Sequence, residues 1–134
     1  MNILVDTSVW SLALRRDAPP DTKATQSLNR SLKRQDVLFS TGIILQELLQ
    51  GFRGPKHRTS IIDYFSKLPM IVPSVTDHID AAALQATCRR KGIQIGTIDA
   101  LLAQLAIAHD LELLTTDHDF IMMARYVPLR ILPD

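Results

Sequence analysis

The sequence has few of the residues that mark secreted, disulfide-rich or membrane-spanning proteins. Cys88 is the only cysteine in 134 residues, so no intramolecular disulfide can form and a reducing compartment is favoured. No apolar run approaches the roughly 18 residues needed to cross a bilayer. The first residues also lack a basic segment ahead of an apolar one, so no secretion signal is indicated. We therefore expect a cytoplasmic protein.

Aromatic residues and net charge are also scarce. Aromatic side chains make up 5% of the chain and the formal net charge is +1, whereas the 46% hydrophobic content is ordinary for a globular protein. The length is typical of one domain, which we expect to span residues 1–134. The first 60 residues carry nine Lys or Arg against five acids. Such a basic half suits a polyanionic partner, although solvated helix faces have the same composition.

Short apolar runs alternate with longer stretches of helical periodicity. This alternation is typical of parallel strands joined by crossover helices, and it predicts an α/β fold. The predicted strands are residues 3–5, 37–40, 70–72, 112–115 and 129–132. The predicted helices are residues 7–16, 21–34, 41–52, 55–68, 76–91, 97–109 and 117–124.

Two acids directly follow predicted strands. Asp6 ends the first apolar run, and Asp117 follows the strand that contains Leu113 and Leu114. The carboxyl ends of parallel strands meet at one edge of a sheet, where ligands bind at the topological switch point. Helix N-capping is the alternative role for both acids, since Asp is a good N-cap residue. Near the second of them, either Asp117 or Asp119 could face the cleft.

Two further acids interrupt apolar helices. Glu47 lies among Ile43, Ile44 and Leu48 in a helix with no other charge before Arg53, and Asp99 opens a helix that is apolar on most sides. An ionised carboxylate next to a core segment is costly unless a cation or a hydrogen bond compensates it. The alternatives are an exposed Glu47 and a first-turn Asp99 stabilised by the helix dipole.

Together these four carboxylates predict a metal site. Four such groups about 5 Å apart repel one another by an amount that exceeds a typical folding free energy, so a shared pocket must take up protons, water or divalent cations. Oxygen ligands alone suit Mg²⁺ or Mn²⁺ better than zinc, and of the four histidines only His118 adjoins the cluster. Mg²⁺ often completes its coordination with substrate phosphates, which indicates phosphodiester cleavage.

The predicted mechanism assigns each acid a role. Asp6, Glu47 and Asp99 hold the principal cation, Asp117 completes the site or supports a second ion, and a metal-activated water attacks a phosphate in line. No side chain acts as a covalent nucleophile. Five basic residues are candidates for contacts to the flanking phosphates of a nucleic acid: Arg15, Arg16, Arg53, Lys56 and Arg58.

The motifs resemble those of a known family, the PIN-domain ribonucleases, and within it the VapC-type toxins of toxin–antitoxin pairs. The resemblance rests on Val5-Asp6-Thr7-Ser8, Glu47, Gly96-Thr97-Ile98-Asp99 and Thr115-Thr116-Asp117-His118-Asp119-Phe120, which span nearly the whole chain. It implies a three-layer α/β/α sandwich with a central, mainly parallel sheet and a Mg²⁺- or Mn²⁺-dependent endoribonuclease. The matching acids are Asp6, Glu47, Asp99 and Asp117, with Asp119 as a further candidate.

The same resemblance implies supporting residues and partners. Ser8, or else Thr7, matches the hydroxyl that accompanies the first acid, and Thr116 lies near the hydroxyl before the last one. A small VapB-like antitoxin is expected to block the cleft, and a homodimer is expected. The apolar residues that would offer the antitoxin a seat, most of them expected in the core, are Trp10, Leu12, Leu14, Leu28, Ile43, Leu48 and Phe52.

Three other functions remain as alternatives. A phosphoacceptor receiver domain needs adjacent acids after the first strand and a Lys after the last, and this chain has neither. A PIN scaffold that binds RNA or protein without turnover has the same acids. A DNA-directed nuclease has the same site, because the motifs do not specify the sugar.

Overall fold

Five parallel strands form the centre of the protein. The computed structural model describes residues 1–15 and 20–132. Its strands are β1 (Asn2–Val5), β2 (Val37–Thr41), β3 (Met70–Ile71), β4 (Glu112–Leu114) and β5 (Arg130–Ile131). Their order in the sheet is β3-β2-β1-β4-β5, and every neighbouring pair is parallel. The five strands lie where the sequence predicted them.

Seven helices connect the strands in the part of the chain that the structure describes. They are α1 (Thr7–Ala13), α2 (Lys23–Lys33), α3 (Gly42–Gly51), α4 (Pro55–Phe65), α5 (Val75–Arg90), α6 (Thr97–Ala108) and α7 (His118–Met123). Local capping sets several starts: Thr22 and Ser74 form capping boxes with Thr25 and Asp77, and Pro55 occupies the first turn of α4. Helix α1 ends earlier than predicted.

The helices form two layers around the sheet, as the three-layer α/β/α prediction required. Helices α1 to α4 lie between β1 and β3 along the chain and contact one another, whereas α5 and α6 pack together before β4. The chain moves outward from β1 to β3 and then returns past β1 to β4. Right-handed crossovers therefore place α5 to α7 on the opposite face.

The central strands are covered on both faces. Residues Ile3, Leu4 and Val5 of β1 are fully buried, and Leu113 and Leu114 of β4 are at most 1% exposed. Continuous apolar runs of this kind are typical of parallel strands buried between helix layers. Among the described residues, no helix has both the length and the apolar character needed to span a bilayer.

The order of the strands reverses between β1 and β4. The chain builds β2 and β3 on one side of β1, and β4 and β5 on the other side. Val5 pairs with Leu114, and the Asp6 amide donates to the Leu114 carbonyl at 2.9 Å, so both strands end at the same level. A crevice at the carboxyl ends of β1 and β4 is where ligands bind in such sheets.

Candidate metal centre

Asp6 lies at this crevice with one carboxylate oxygen already engaged. Its side chain is buried, and Oδ2 accepts hydrogen bonds from Ser8 Oγ and Thr115 Oγ1, both at 2.8 Å. Both donors act on the same oxygen, which orients the carboxylate and directs Oδ1 elsewhere. The two hydrogen bonds therefore hold the Asp6 carboxylate in one orientation. Asp6 precedes α1 but its side chain does not cap that helix.

The loops after β1 and β4 are joined by hydroxyl groups. Ser8 Oγ accepts from the Thr116 amide at 3.0 Å, and Thr115 Oγ1 accepts from the Asp117 amide at 2.9 Å. Thr116 thus contacts the site through its backbone while its side chain is exposed. The sequence pointed to Thr116, whereas Thr115 makes the side-chain contacts. The signal for Thr115 was its place at the end of β4, opposite Asp6.

Glu47 approaches the same crevice from α3. It is half-buried, and its Oε1 accepts from Thr7 Oγ1 at 2.8 Å. Thr7 is the first residue of α1 and directly follows Asp6, so this bond fixes Glu47 beside the end of β1. The sequence left open whether Thr7 or Ser8 supports the site. The structure gives each hydroxyl its own acid: Ser8 bonds Asp6 and Thr7 bonds Glu47.

Three aspartates from α6 and α7 complete the acidic group. One carboxylate oxygen from each of Asp99, Asp117 and Asp119 lies within 4.8 Å of the other two. Asp117 is also the N-cap of α7, since its Oδ1 accepts from the Asp119 amide at 2.9 Å. Asp117 therefore both caps α7 and contributes a carboxylate to the acidic group. Asp119 lies beside Asp117 on the exposed side, so the structure places both candidates in the group.

The electrostatics of Asp99 show that all five acids share one region. Burial raises the pKa of Asp99, and the negative charges of Asp117, Asp6, Asp119 and Glu47 raise it further, to about 6. Each ion pair found among the described residues lies elsewhere in the molecule. Within residues 1–15 and 20–132, none of these ion pairs brings a Lys or Arg to the five acids. Three carboxylates whose oxygens lie within 4.8 Å of one another, with Asp6 and Glu47 close enough to act on Asp99, fit a hard divalent cation.

A pH-dependent stability follows for the metal-free protein. Since the folded-state pKa of Asp99 lies above its usual value of 3.8, the folded state binds the proton more tightly than the unfolded state. Asp99 therefore destabilises the fold above pH about 6, and this effect disappears as the pH falls towards 4. We expect Asp99→Asn, in EDTA, to raise the free energy of unfolding at pH 7.5 and to leave it nearly unchanged at pH 4.

Urea denaturation at several pH values measures this difference. Asp63→Asn is the matched control, because Asp63 is an exposed acid of α4 whose carboxylate pairs with Lys67 on the surface. A lower stability of Asp99→Asn than of the wild type at pH 7.5 in EDTA would contradict the repulsion that we describe.

The predicted phosphate-binding residues are spread over two connections. Arg15 follows α1 and is exposed, as are Arg53 before α4 and Lys56 within it. Arg58 is half-buried and donates to the Leu49 carbonyl, which fixes its guanidinium against the end of α3. The prediction for Arg16 lies outside the described residues.

Part of the predicted antitoxin seat is core. Trp10, Leu28 and Leu48 are at most 2% exposed, and Trp10 packs edge-on against Tyr64 and Phe65. These side chains are not available to a partner. The remaining members of the predicted seat are partly exposed: Leu12, Leu14, Ile43 and Phe52.

Comparison with known proteins agrees with this fold. The model of the PIN domain family matches residues 3–126. The chain therefore belongs to the PIN domain family, and the resemblance inferred from its motifs is confirmed. Among curated proteins it is similar to a VapC ribonuclease of Mycobacterium bovis, Mb1587, and to Ribonuclease VapC11 of Mycobacterium tuberculosis. Each is 30% identical over 133 residues, with 96% of both chains covered.

Solved structures show the same fold. VapBC2 from Rickettsia felis, bound to a DNA fragment from its promoter, superposes with a TM-score of 0.76 at 25% identity and 98% coverage of both chains. DNA-bound VapBC from Salmonella typhimurium gives a TM-score of 0.75 at 19% identity, covering 98% of this chain and 97% of that one. These relatives are VapC-type proteins, which is the group within the PIN family that the motifs indicated.

Proposed function

We propose that this chain is a metal-dependent endoribonuclease and the toxin of a toxin–antitoxin pair. The observation that carries this proposal is the grouping of Asp99, Asp117 and Asp119 near Asp6 and Glu47 at the switch point, where burial and the charges of the other four acids raise the pKa of Asp99 to about 6. Curated relatives of the same length are named ribonucleases. We propose that RNA in the cytoplasm is the substrate and that a phosphodiester bond is hydrolysed.

In this proposal Asp6, Glu47, Asp99 and Asp117, with Asp119 beside them, hold Mg²⁺ or Mn²⁺. When bound, such an ion activates water and neutralises charge at the scissile phosphate. The acids are predisposed to this role because they are all oxygen donors and none is paired with a cation among the described residues.

The chain's own hydroxyl groups position the acids before substrate arrives. Ser8 and Thr115 hold Asp6, and Thr7 holds Glu47, each by a bond of 2.8 Å. Preorganised donors of this kind reduce the reorganisation that a reaction requires. The buried side of the cleft is thus rigid, whereas Asp119 and His118 face solvent, where RNA would enter.

Flanking phosphates would be bound by Arg15, Arg16, Arg53, Lys56 and Arg58. A basic surface beside an acidic site reduces the repulsion between the acids and the RNA backbone. The guanidinium of Arg58 is anchored on the Leu49 carbonyl, which fixes its position near the end of α3.

The proposed partners are a VapB-like antitoxin and a second copy of this chain. Several of the solved relatives are VapBC assemblies, including those from Rickettsia felis and Salmonella typhimurium. The proposed antitoxin contact consists of four partly exposed apolar residues in or just after α1 and α3: Leu12, Leu14, Ile43 and Phe52.

The proposal is tested with labelled pools of random-sequence RNA and DNA oligonucleotides. We expect cleavage of RNA with Mg²⁺ or Mn²⁺, a fall of at least about 100-fold in excess EDTA, and no cleavage of the DNA pool. RNA binding without cleavage would favour a non-catalytic scaffold. Equal cleavage of DNA would favour a DNA-directed nuclease, which has the same acids.

A further inference from the structure

A shallow pocket lies on the exposed side of α3. It has a volume of about 370 Å³ and is lined by five residues of α3 and one of α4: Gly42, Leu45, Gln46, Leu49, Gln50 and Arg58. This volume is in the range of pockets that bind small molecules, about 300–1,000 Å³. The acidic group takes Glu47 from the same helix, so the pocket and the proposed metal centre share one element.

We propose that this pocket binds a single unstacked guanine base of the RNA substrate, close to the bond that is cleaved. The inference rests on the RNA cleavage of the proposed function and gives that activity a base preference. A protein helix that binds in a groove presents apolar anchors over two or more turns, whereas this pocket offers two leucines and three polar side chains. Its composition therefore favours a small, flat ligand with polar edges.

Leu45 and Leu49 supply the apolar surface of the pocket. They lie one turn apart on α3 and are half-buried, because each also packs against the hydrophobic core. Gly42 precedes Leu45 by about one turn and has no side chain, so the surface is open at that end. A base that has left its stack is held against apolar surfaces in proteins that bind unstacked nucleotides. The two leucines can serve as such a surface.

The polar groups of the pocket match the edges of guanine. Nη1 of Arg58 donates to the Leu49 carbonyl at 2.5 Å, which fixes the guanidinium and leaves further N–H groups of the same planar group for a ligand. Two arginine N–H groups pair with O6 and N7 of guanine, whereas adenine presents an amino group in place of O6. Among the described residues that line the pocket, no acid competes for these donors.

The two glutamines complete the match. Gln46 and Gln50 are exposed and lie one turn apart on α3, so both amides are available to a ligand in the pocket. A glutamine carbonyl accepts hydrogen bonds, and guanine offers its N1–H and its N2 amino group on the edge next to O6. A base held by Arg58 through O6 can therefore also be bound by a glutamine.

The position of Glu47 places this pocket beside the proposed cleavage site. Successive residues of a helix are rotated by about 100°, so Gln46 and Gln50 lie about 100° and about 60° away on the same side of Glu47. Glu47 itself is directed to the end of β1, where Thr7 bonds it. The pocket and the acids thus occupy adjacent sides of a helix about 10–12 Å wide. An RNA strand whose phosphate reaches the acids can place a neighbouring base in the pocket.

Gly42→Leu tests the pocket by filling it. A Cβ atom added at Gly42 meets no atom within 4 Å, so the new side chain enters the pocket without a clash. Gly51→Leu is the matched control, because Gly51 lies in the same helix, has the same free space around an added Cβ and is outside the pocket.

Sequencing the cleavage products of the random RNA pool measures the base preference. At one position within about two nucleotides of the cut, we expect the wild type and Gly51→Leu to prefer guanine over adenine about tenfold. Gly42→Leu should lose most of this preference. The preference compares two substrates in one sample, so a partial loss of folded protein does not change it.

Arg58→Lys separates base recognition from phosphate binding. The substitution keeps a positive charge for a flanking phosphate but removes the planar group that pairs with O6 and N7. We expect the guanine preference to fall at least about fivefold, whereas Arg53→Lys, at an exposed position outside the pocket, should keep it. A wild type without a base preference near the cut, or an unchanged preference in Gly42→Leu or Arg58→Lys, would overturn the proposal.

Equilibrium binding separates this inference from the proposed function. Fluorescence anisotropy of labelled oligouridine strands with one central guanine or adenine, in excess EDTA, requires no cleavage. A chain that binds the guanine strand more tightly, loses that difference in Gly42→Leu and never cleaves RNA overturns the proposed activity and leaves the pocket standing. A chain that cleaves RNA with the same base preference in Gly42→Leu overturns the pocket and leaves the activity standing. If Gly42→Leu changes the sedimentation of the chain but not its base preference, the pocket binds protein and the inference is overturned.

Discussion

Replacing Asp99 with Asn is expected to lower RNA cleavage by at least about 10³-fold, because loss of a ligand removes several kcal/mol of transition-state stabilisation. Asp99 is half-buried, and the other four acids all act on its charge. The substitution keeps the size of the side chain, so folding should be retained. Initial rates of cleavage of the labelled RNA pool, at equal concentrations of folded protein, measure the effect.

Asp6→Asn should give a loss of the same order, since Asp6 is the acid that Ser8 and Thr115 hold in place. The matched control is Asp63→Asn on the surface of α4, which should cleave at the wild-type rate. Comparison of Asp117→Asn with Asp119→Asn then ranks the last two acids. Full cleavage by both Asp6→Asn and Asp99→Asn, in the presence of EDTA, would refute the metal mechanism.

Adding Mn²⁺ is expected to stabilise the folded protein strongly. A ligand that binds only the folded state at about 100 times its dissociation constant adds about 2.7 kcal/mol to the free energy of unfolding. A bound cation also offsets the repulsion from the neighbouring carboxylates, which disfavours the ionised form of Asp99 in the metal-free protein. Urea denaturation with and without Mn²⁺, at pH 7.5, measures this gain without any substrate.

Asp99→Asn should keep little of this gain, whereas Asp63→Asn should keep all of it. In EDTA we expect Asp99→Asn to be more stable than the wild type, and in Mn²⁺ we expect the wild type to be more stable than Asp99→Asn. This reversal distinguishes metal binding from a general effect of ionic strength, which would raise the free energy of unfolding of both proteins by similar amounts. Equal stabilisation of wild type and Asp99→Asn would show that the acidic group is not the site of binding.

The fold, and the proximity of Asp6, Glu47 and Asp117 to Asp99, could be predicted because they depend on local patterns. Runs such as Ile3 to Val5 are apolar on both sides of the strand, which is typical of a parallel strand under two helix layers. Asp6 and Asp117 then follow from the rule that carboxyl ends of parallel strands share an edge. Glu47 was found because its helix is otherwise uncharged, and Asp99 because its helix is apolar.

Other parts of the site could not be predicted from such patterns. Thr115 and Thr116 are chemically equivalent in the sequence, and their different roles depend on the direction of each side chain at the end of β4. Trp10 and Leu28 belonged to a set of apolar residues of which most were expected in the core and a few in an antitoxin groove, because amphipathic spacing does not show how much of a helix its neighbours cover. The structure buries both to 2% exposure.

The sequence by itself determined the order of the elements, the family and the four acids that lie next to apolar segments, because each of these depends on residue type and on spacing along the chain. Only the tertiary structure decided which hydroxyl holds which acid and that Asp119 joins Asp117. These features depend on distances between residues far apart in sequence. Those distances are set only when β1 and β4 pair in the folded sheet.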